Sequence, residues 1–118
     1  MPSLRTRATK EKYQEFLRVK PIDDSCPLCN KVAIKEYGYW KLTVNDFPYD
    51  EIAKVHHMLL PIRHTSEKEL SEEELNEFRT IKDSMMNTGY DIIIESTKRS
   101  LSIPGHFHLH LVTMKEYS

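Results

Sequence analysis

The stretch HFHLHLV, residues 106–112, lies near the end of the chain and decides the fold that the sequence predicts. Histidines alternate in it with large apolar residues, which is the two-residue period of a β-strand, and we expect that strand to span residues 106–113. In such a strand His106, His108 and His110 share one face, while the apolar residues between them face the core. Because neighbouring imidazoles repel one another when protonated, part of this row is expected to stay neutral near pH 7, as a nucleophile requires.

A second group of histidines consists of His56, His57 and His64. Residues 54–60 predict a strand that the following proline ends. Alternation along this strand places His56 and His57 on opposite faces of the sheet. All six histidines of the chain fall into the two groups, and none lies on a predicted helix.

The bulk composition is that of one ordinary globular domain. The chain has 118 residues, of which 39% are hydrophobic and 30% charged, and its formal net charge is −1. This small net charge creates no strong field that would attract a nucleic-acid backbone or an anionic membrane. An anionic ligand must therefore be bound by a local site. No apolar run approaches the roughly 20 residues that span a bilayer. The first twenty residues contain no apolar stretch typical of a signal peptide, and we expect the protein in the cytoplasm.

The remaining patterns predict an α+β fold. The first half of the chain predicts a short amphipathic helix over residues 9–19, one or two short strands over 32–40 and a strand over 39–44. The second half predicts a main helix over 71–89, which ends at a capping glycine, and a strand over 90–95. Two capping boxes, Ser66-x-x-Glu69 and Ser71-x-x-Glu74, precede apolar periodicity, and the second opens the main helix. Strands before and after a single main helix favour an antiparallel sheet of about five strands, with the short N-terminal helix beside it.

The two cysteines form the group Cys26-Pro-Leu-Cys29. A disulfide closing so short a loop constrains little of the unfolded chain and is unexpected in a reducing compartment. A redox pair remains an alternative, because Cys-Pro-x-Cys spacing occurs in thiol oxidoreductases, although there it normally opens a long helix. We favour half of a zinc site, which needs two further ligands from elsewhere.

Taken together, these motifs resemble the histidine-triad (HIT) superfamily. The HFHLHLV stretch is similar to the family's signature of three alternating histidines, and NDFPYDEIAKVHHMLLPIRH, residues 45–64, is similar to its first block of proline, strand and distal histidine. The capped helix, the next strand and the early cysteine pair also follow in the family's order. The resemblance covers about residues 26–113 and implies one HIT-like domain, 1–118, in which a helical extension, 1–25, precedes the HIT core.

The resemblance implies a role for individual residues. His108 corresponds to the nucleophile that forms a nucleotidyl-histidine intermediate. His110 corresponds to the histidine that contacts the α-phosphate, and His56 to a histidine that lies near the phosphate and the histidine row. Asn45 matches a position that hydrogen-bonds the ribose. In zinc-containing branches a structural metal is held by the cysteine pair, the histidine after the proline block and the first triad histidine, which correspond to Cys26, Cys29, His64 and His106.

Further positions bear on the substrate. Three aromatic residues invite a base-stacking interpretation, namely Trp40, Phe47 and Tyr49. Trp40 is expected in the core, and Phe47 is the better candidate for lining a nucleoside pocket. Ser102 matches the polar side chain that family members carry just before the triad. Glu95 stands about where many members place a ligand-contacting asparagine, and a carboxylate there would repel a phosphate or select a different leaving group.

The function implied is that of a nucleotide hydrolase or nucleotidyl transferase acting at the α-phosphate of a purine nucleotide conjugate, such as a phosphoramidate or a dinucleoside polyphosphate. The resemblance also implies structural zinc, no organic cofactor, a small-molecule nucleotide as substrate and a homodimer; adenylated or capped nucleic-acid ends stay open as substrates. One alternative, motivated by Glu95, is a non-catalytic, zinc-stabilised nucleotide-binding or protein-interaction module. Another is a triad that binds a catalytic metal directly.

Overall fold

The computed structural model describes residues 4–19, 26, 28–86, 89–95 and 106–116. Its helices and strands are α1 (Arg7–Val19), β1 (Lys35–Glu36), β2 (Trp40–Val44), β3 (Ala53–Pro61), α2 (Glu72–Ile81), β4 (Ile92–Ile94) and β5 (Leu109–Met114). The strands of these described segments form one sheet in the order β1-β2-β3-β5-β4, and every pair is antiparallel. The predicted α+β class, with a five-stranded antiparallel sheet and two helices, is confirmed.

The two faces of the sheet carry different cores. The face toward α2 buries a cluster made of Trp40, Leu42, Leu59, Ile81 and Leu111, with Phe78 and Phe107 packed against it. Trp40 is fully buried, as predicted, and its indole N–H donates to the carbonyl of Glu74 at 2.8 Å. The opposite face carries a smaller cluster of Leu28, Met58 and Leu60. Strand β2 is therefore covered on both faces, and the prediction that it is half-buried is wrong for its first four residues.

Helix α2 begins at the capping box that the sequence predicts. The Ser71 side chain accepts the backbone N–H of Glu74, and the Glu74 carboxylate accepts the backbone N–H of Ser71. The same carboxylate accepts a hydrogen bond from Arg63 at 2.7 Å, which ties the chain after β3 to the helix. Ser66, by contrast, precedes only a short 3₁₀ turn, and its side chain makes no capping hydrogen bond. The prediction of a capping box at Ser66 is thus wrong.

Several predicted boundaries differ from the structure, and two of the differences concern the histidine strand and the main helix. Strand β5 begins at Leu109, three residues later than predicted, because the N–H of Phe107 donates to the carbonyl of Thr65 and the carbonyl of His106 accepts from a side chain instead of from β3. Helix α2 continues after Ile81 as a π-helical turn, Lys82–Met86. Gly89 does not have the positive φ of a helix-capping glycine.

Helix α1 docks onto the loop that joins β2 to β3. The backbone N–H and the hydroxyl of Thr6 both donate to Asp50, at 2.7 and 3.0 Å. The rings of Tyr13 and Phe16 pack on Phe47, with centroids 5.3 and 5.1 Å away. This helix therefore stabilises the loop next to the histidine face. Within the described segments, neither α1 nor any other helix has the length and apolar character needed to cross a membrane.

Candidate functional site

Three imidazoles come together on the sheet face opposite α2. In the β3–β5 ladder His110 lies opposite Met58, and His56 lies opposite Val112, so His56 and His110 are diagonal neighbours on one face. His56 Nε2 is 2.8 Å from His110 Nδ1. The ring of His108 is 5.2 Å from that of His110, centroid to centroid. The histidines predicted to be catalytic thus form one contiguous group, and all three are buried.

Hydrogen bonding determines which nitrogen of His56 and His110 carries the proton. The backbone N–H of Tyr49 donates to His56 Nδ1 at 2.9 Å, so this nitrogen is an acceptor. In neutral His56 the proton is therefore on Nε2, which donates to His110 Nδ1. His110 in turn carries its proton on Nε2. Both rings are held as neutral Nε2–H tautomers.

His108 has the opposite tautomer. Its Nδ1 lies 2.9 Å from the carbonyl oxygen of His106, and because a carbonyl can only accept, Nδ1 carries the proton. The lone pair of His108 then resides on Nε2. An imidazole held in this way presents an unprotonated nitrogen in a fixed orientation, which is the requirement for a nucleophile or a general base.

The electrostatics keep the group uncharged. Burial lowers the pKa of His56 to about 4, and the charges of Arg5 and His57 act in the same direction. Burial also lowers the pKa of His110 to about 3, with further contributions from His56 and His108. Burial lowers the pKa of His108 as well, although its hydrogen bond to the His106 carbonyl opposes the shift. All three imidazoles are therefore neutral at pH 7.

The predicted substrate-binding residues have different surroundings. Asn45 is buried beside His56; its amide Nδ2 lies 3.4 Å from His56 Nε2, and its oxygen accepts the N–H of Phe47. The Phe47 ring packs against Tyr13 and Phe16 of α1, and its contact with a nucleoside stays a prediction. Ser102 lies outside the described residues, and its role also stays a prediction.

The predicted metal ligands form a second group at the end of the same sheet face. Cys26, Cys29, His64 and His106 each place a ligand atom within 4.8 Å of the others, so together they could hold a metal ion. His106 Nδ1 is 3.5 Å from Cys26 Sγ and 3.4 Å from Cys29 Sγ. His64 Nδ1 is 3.2 Å from Cys29 Sγ. Both cysteines are free thiols.

The surrounding hydrogen bonds orient this group for a cation. His106 is fully buried, and its Nε2–H donates to the carbonyl of Pro61 at 2.8 Å. The Nδ1 lone pair is thereby turned toward the two sulfurs, which is how metal-binding histidines are usually supported. Lys41 donates to the carbonyls of Cys29 and Lys31 at 3.3 and 3.0 Å. The cysteine turn is thus fastened to β2.

Glu95 lies near the 3₁₀ turn, where its carboxyl interacts with that of Glu67. Burial raises the pKa of Glu95, and the neighbouring Glu67 carboxylate raises it further. The effect of Glu95 on a phosphate ligand stays a prediction.

Sequence reasoning missed Lys41 and the contacts that Tyr49 makes with the histidines. Tyr49 contacts both His56 and His110, but it lies in a loop, where no periodicity predicts the direction of a side chain. Lys41 resembled an outward polar residue of a half-buried strand, yet it is 5% exposed. Alternation along β2 places Lys41 on the opposite face from Trp40 and Leu42, which is the face that also carries the cysteines. This alternation was the signal that could have identified Lys41.

No family model matches the chain, and no curated protein matches it.

Proposed function

We propose that the protein is a histidine-triad nucleotide hydrolase or nucleotidyl transferase in which His108 attacks the α-phosphorus of a nucleotide conjugate. The observation that supports this most strongly is the 2.9 Å contact between His108 Nδ1 and the His106 carbonyl oxygen, from which the Nδ1–H tautomer is inferred. The protonated Nδ1 of His108 is bound by the His106 carbonyl, and the remaining nitrogen is a neutral nucleophile next to His110. The resemblance of residues 45–64 and 106–112 to the HIT blocks supplies the substrate class.

The proposed reaction begins when a neutral nucleophile attacks an anionic phosphate. His108 Nε2 forms a bond to phosphorus while the bond from phosphorus to the leaving group breaks, and the leaving group departs with its electron pair. Neutral imidazole avoids most of the repulsion that an anionic nucleophile meets, and the covalent intermediate divides one difficult displacement into two. The His110 Nε2–H is a donor for the charge that builds on the phosphoryl oxygens.

Transfer to an acceptor completes the cycle. A water molecule that attacks the intermediate releases the nucleoside monophosphate and regenerates His108, whereas phosphate or another nucleophile would make the protein a transferase. In this second step the bond between the acceptor oxygen and phosphorus forms while the bond between phosphorus and His108 Nε2 breaks. The acceptor's proton passes to solvent, and the leaving group of the first step takes up its proton from solvent. None of these steps uses the cysteine group.

We propose zinc as the metal of Cys26, Cys29, His64 and His106. In a tetrahedral zinc site with bonds of about 2.3 Å to sulfur and about 2.0 Å to nitrogen, a sulfur and a nitrogen ligand lie about 3.5 Å apart. The observed sulfur–nitrogen distances of 3.2 to 3.5 Å fit that geometry. Two thiolates and two imidazoles fill four positions, so zinc would contribute stability instead of a reactive water.

The test is turnover by His108→Ala. The wild-type protein is incubated with an adenosine 5′-phosphoramidate, a diadenosine polyphosphate and an adenylated oligonucleotide, and release of AMP is measured. We expect cleavage of at least one class, and a loss of at least a thousandfold in His108→Ala. The control is His57→Ala, since His57 faces the other side of the sheet and bonds Tyr90 at 2.6 Å.

Two outcomes would contradict the proposal. Activity in His108→Ala within tenfold of the wild type excludes His108 as the nucleophile. Absence of cleavage in every class, with AMP binding retained, favours the non-catalytic nucleotide-binding module.

A further inference from the structure

The hydrogen bond between His56 and His110 has two possible directions. It joins His56 Nε2 to His110 Nδ1 over 2.8 Å, and in a neutral imidazole either nitrogen can be the donor. To reverse the bond, a proton crosses from His56 Nε2 to His110 Nδ1, while His110 Nε2 gives a proton to solvent and His56 Nδ1 takes one from it. The charge of the pair is unchanged, but only the original direction leaves a proton on His110 Nε2.

Two neighbours of His56 favour opposite directions. The Asn45 side-chain oxygen accepts the N–H of Phe47 at 2.8 Å, so its amide NH₂ faces His56 Nε2, 3.4 Å away. A donor in this place favours an unprotonated Nε2, which is the reversed direction. The backbone N–H of Tyr49 donates to His56 Nδ1 over the shorter distance of 2.9 Å. It requires an unprotonated Nδ1, so this N–H determines the direction that the pair has.

The carboxylate of Asp50, the residue after Tyr49, is bound by the N-terminal segment of the chain. It accepts the backbone N–H and the hydroxyl of Thr6 at 2.7 and 3.0 Å, and also the hydroxyl of Thr9. Burial acts to raise the pKa of Asp50, but the hydrogen bonds from Thr9 and Thr6 lower it overall. The carboxylate is therefore charged at pH 7, and it lies at the N-terminal end of α1, where the helix dipole favours a negative charge.

The same segment also binds the loop on both sides of Tyr49 and Asp50. Arg5 Nε donates to the carbonyl of Phe47 at 2.7 Å. The N–H of Glu51 donates to the carbonyl of Leu4 at 3.0 Å. Residues 47, 50 and 51 are thus all held by residues 4–9. The peptide group that carries the Tyr49 N–H therefore depends on this segment for its place beside His56.

We propose that Asp50 is a positioning residue, which fastens the loop to the N-terminal segment and so maintains the His56–His110 hydrogen bond in one direction. When this anchor is lost, the Tyr49 N–H moves away from His56 Nδ1, and the Asn45 amide favours the reversed bond. His110 Nε2 is then unprotonated, and it repels a phosphoryl oxygen instead of donating to it. The consequence for catalysis rests on the proposed function, whereas the direction of the hydrogen bond does not.

The first measurement is imidazole ¹⁵N NMR of Asp50→Ala at pH 7, which reports the protonated fraction of each ring nitrogen. The wild type should show Nε2–H tautomers for His56 and His110. We expect the reversed tautomers in roughly half of the Asp50→Ala molecules or more, because the variant lacks the acceptor that holds the loop. Glu51→Ala is the matched control, since Glu51 is an exposed carboxylate next to Asp50, and it should have the wild-type tautomers.

A second variant covers the case in which Asp50→Ala does not fold. Thr9→Val removes one hydroxyl that donates to Asp50 and leaves the contacts of Thr6 in place. We expect it to show a larger reversed population than the wild type. An unchanged population in Thr9→Val overturns the inference in that case.

The second measurement is AMP release by the same variants, from the best of the three substrates named above. Only molecules that keep the proton on His110 Nε2 are competent, so kcat should fall in proportion to the reversed fraction. Glu51→Ala should stay within twofold of the wild type. A loss of structure in general would not produce this proportion between a tautomer population and a rate.

The outcomes separate this inference from the proposed function. Wild-type tautomers in a folded Asp50→Ala, or reversed tautomers in the wild type itself, overturn the inference at any level of turnover. Reversed tautomers with a kcat equal to that of the wild type overturn the positioning role of Asp50. If the wild type cleaves no substrate, the proposed function fails, and the spectra alone decide whether Asp50 sets the direction of the hydrogen bond.

Discussion

Lys41 is a buried cation beside the cysteine turn of the candidate metal group, Cys26, Cys29, His64 and His106. Its side chain is 5% exposed, and its ammonium group donates to the backbone of Cys29 and Lys31. Burial and the neighbouring Cys26 raise the pKa of the Cys29 thiol, and the charge of Lys41 acts in the opposite direction. Lys41 thus favours the thiolate form that binds a metal.

We predict that Lys41→Met weakens the affinity for zinc by between about tenfold and a hundredfold, the usual cost of losing a residue that supports metal ligands. Competition with a chromogenic chelator at pH 7 measures it. Lys35→Met in strand β1 is the control, because Lys35 is exposed and no cysteine contact of it is described. An unchanged affinity in Lys41→Met would show that Lys41 does not support the metal group.

The buried histidines make stability depend on pH. The pKa of His56 is lowered to about 4 from an ordinary value of 6.5, so below pH 6.5 the unfolded chain takes up a proton that the native ring refuses. The stability present above pH 6.5 is therefore lost as the pH falls toward 4, with a slope of about 1.4 kcal/mol per pH unit for each such histidine.

Urea unfolding of the metal-free protein between pH 7 and 4.5 measures this slope, and the absence of metal removes the competing effect of ligand protonation. We expect His56→Gln to have a shallower slope than the wild type, because it lacks one proton uptake. Equal slopes would contradict the assignment of a neutral, buried His56.

At the scale of elements, two serines with the same local pattern have different roles. Ser71 caps α2 with a reciprocal pair of hydrogen bonds, whereas Ser66 makes no side-chain cap. A capping box satisfies helix N–H groups that otherwise lack partners. Ser66-x-x-Glu69 is followed at once by another helix start, so only a single 3₁₀ turn fits between them.

We predict that Ser71→Ala lowers the free energy of unfolding by about 1 kcal/mol. Ser66→Ala is the matched control and should change it by less than about 0.5 kcal/mol. Chemical denaturation of both variants provides the comparison. A larger loss in Ser66→Ala than in Ser71→Ala would be incompatible with the capping geometry.

At the scale of the whole molecule, the sheet joins distant parts of the chain into two neighbouring groups. Cys26 and His106 lie 80 residues apart in sequence and meet at the metal group. His56 and His110, 54 residues apart, meet in the histidine group. His106 connects the two groups. Its carbonyl accepts a hydrogen bond from His108 Nδ1, and its ring is one of the four candidate metal ligands.

Much of this arrangement could be predicted from the sequence, because alternation in strands determines which side chains share a face. His110 and His56 follow that rule, whereas His106 and His108 precede strand β5. The grouping of the cysteines with His64 and His106 was predicted from the resemblance to the HIT family. The contacts of Tyr49 with the histidines could not be predicted, because the direction of its side chain depends on a loop held by Arg5 and Asp50. Ser102 lies outside the described residues, and the homodimer and the cytoplasmic location stay predictions.

The central claim is that His108 forms a covalent bond to the nucleotide. The most direct measurement is mass spectrometry of the protein quenched during turnover of an adenylyl substrate, under neutral conditions that preserve a phosphorus–nitrogen bond. The account predicts one adenylyl group on the peptide that contains His108, and none on His108→Ala. An adenylyl group on a different residue, or turnover in which the peptide with His108 stays unmodified, would contradict it.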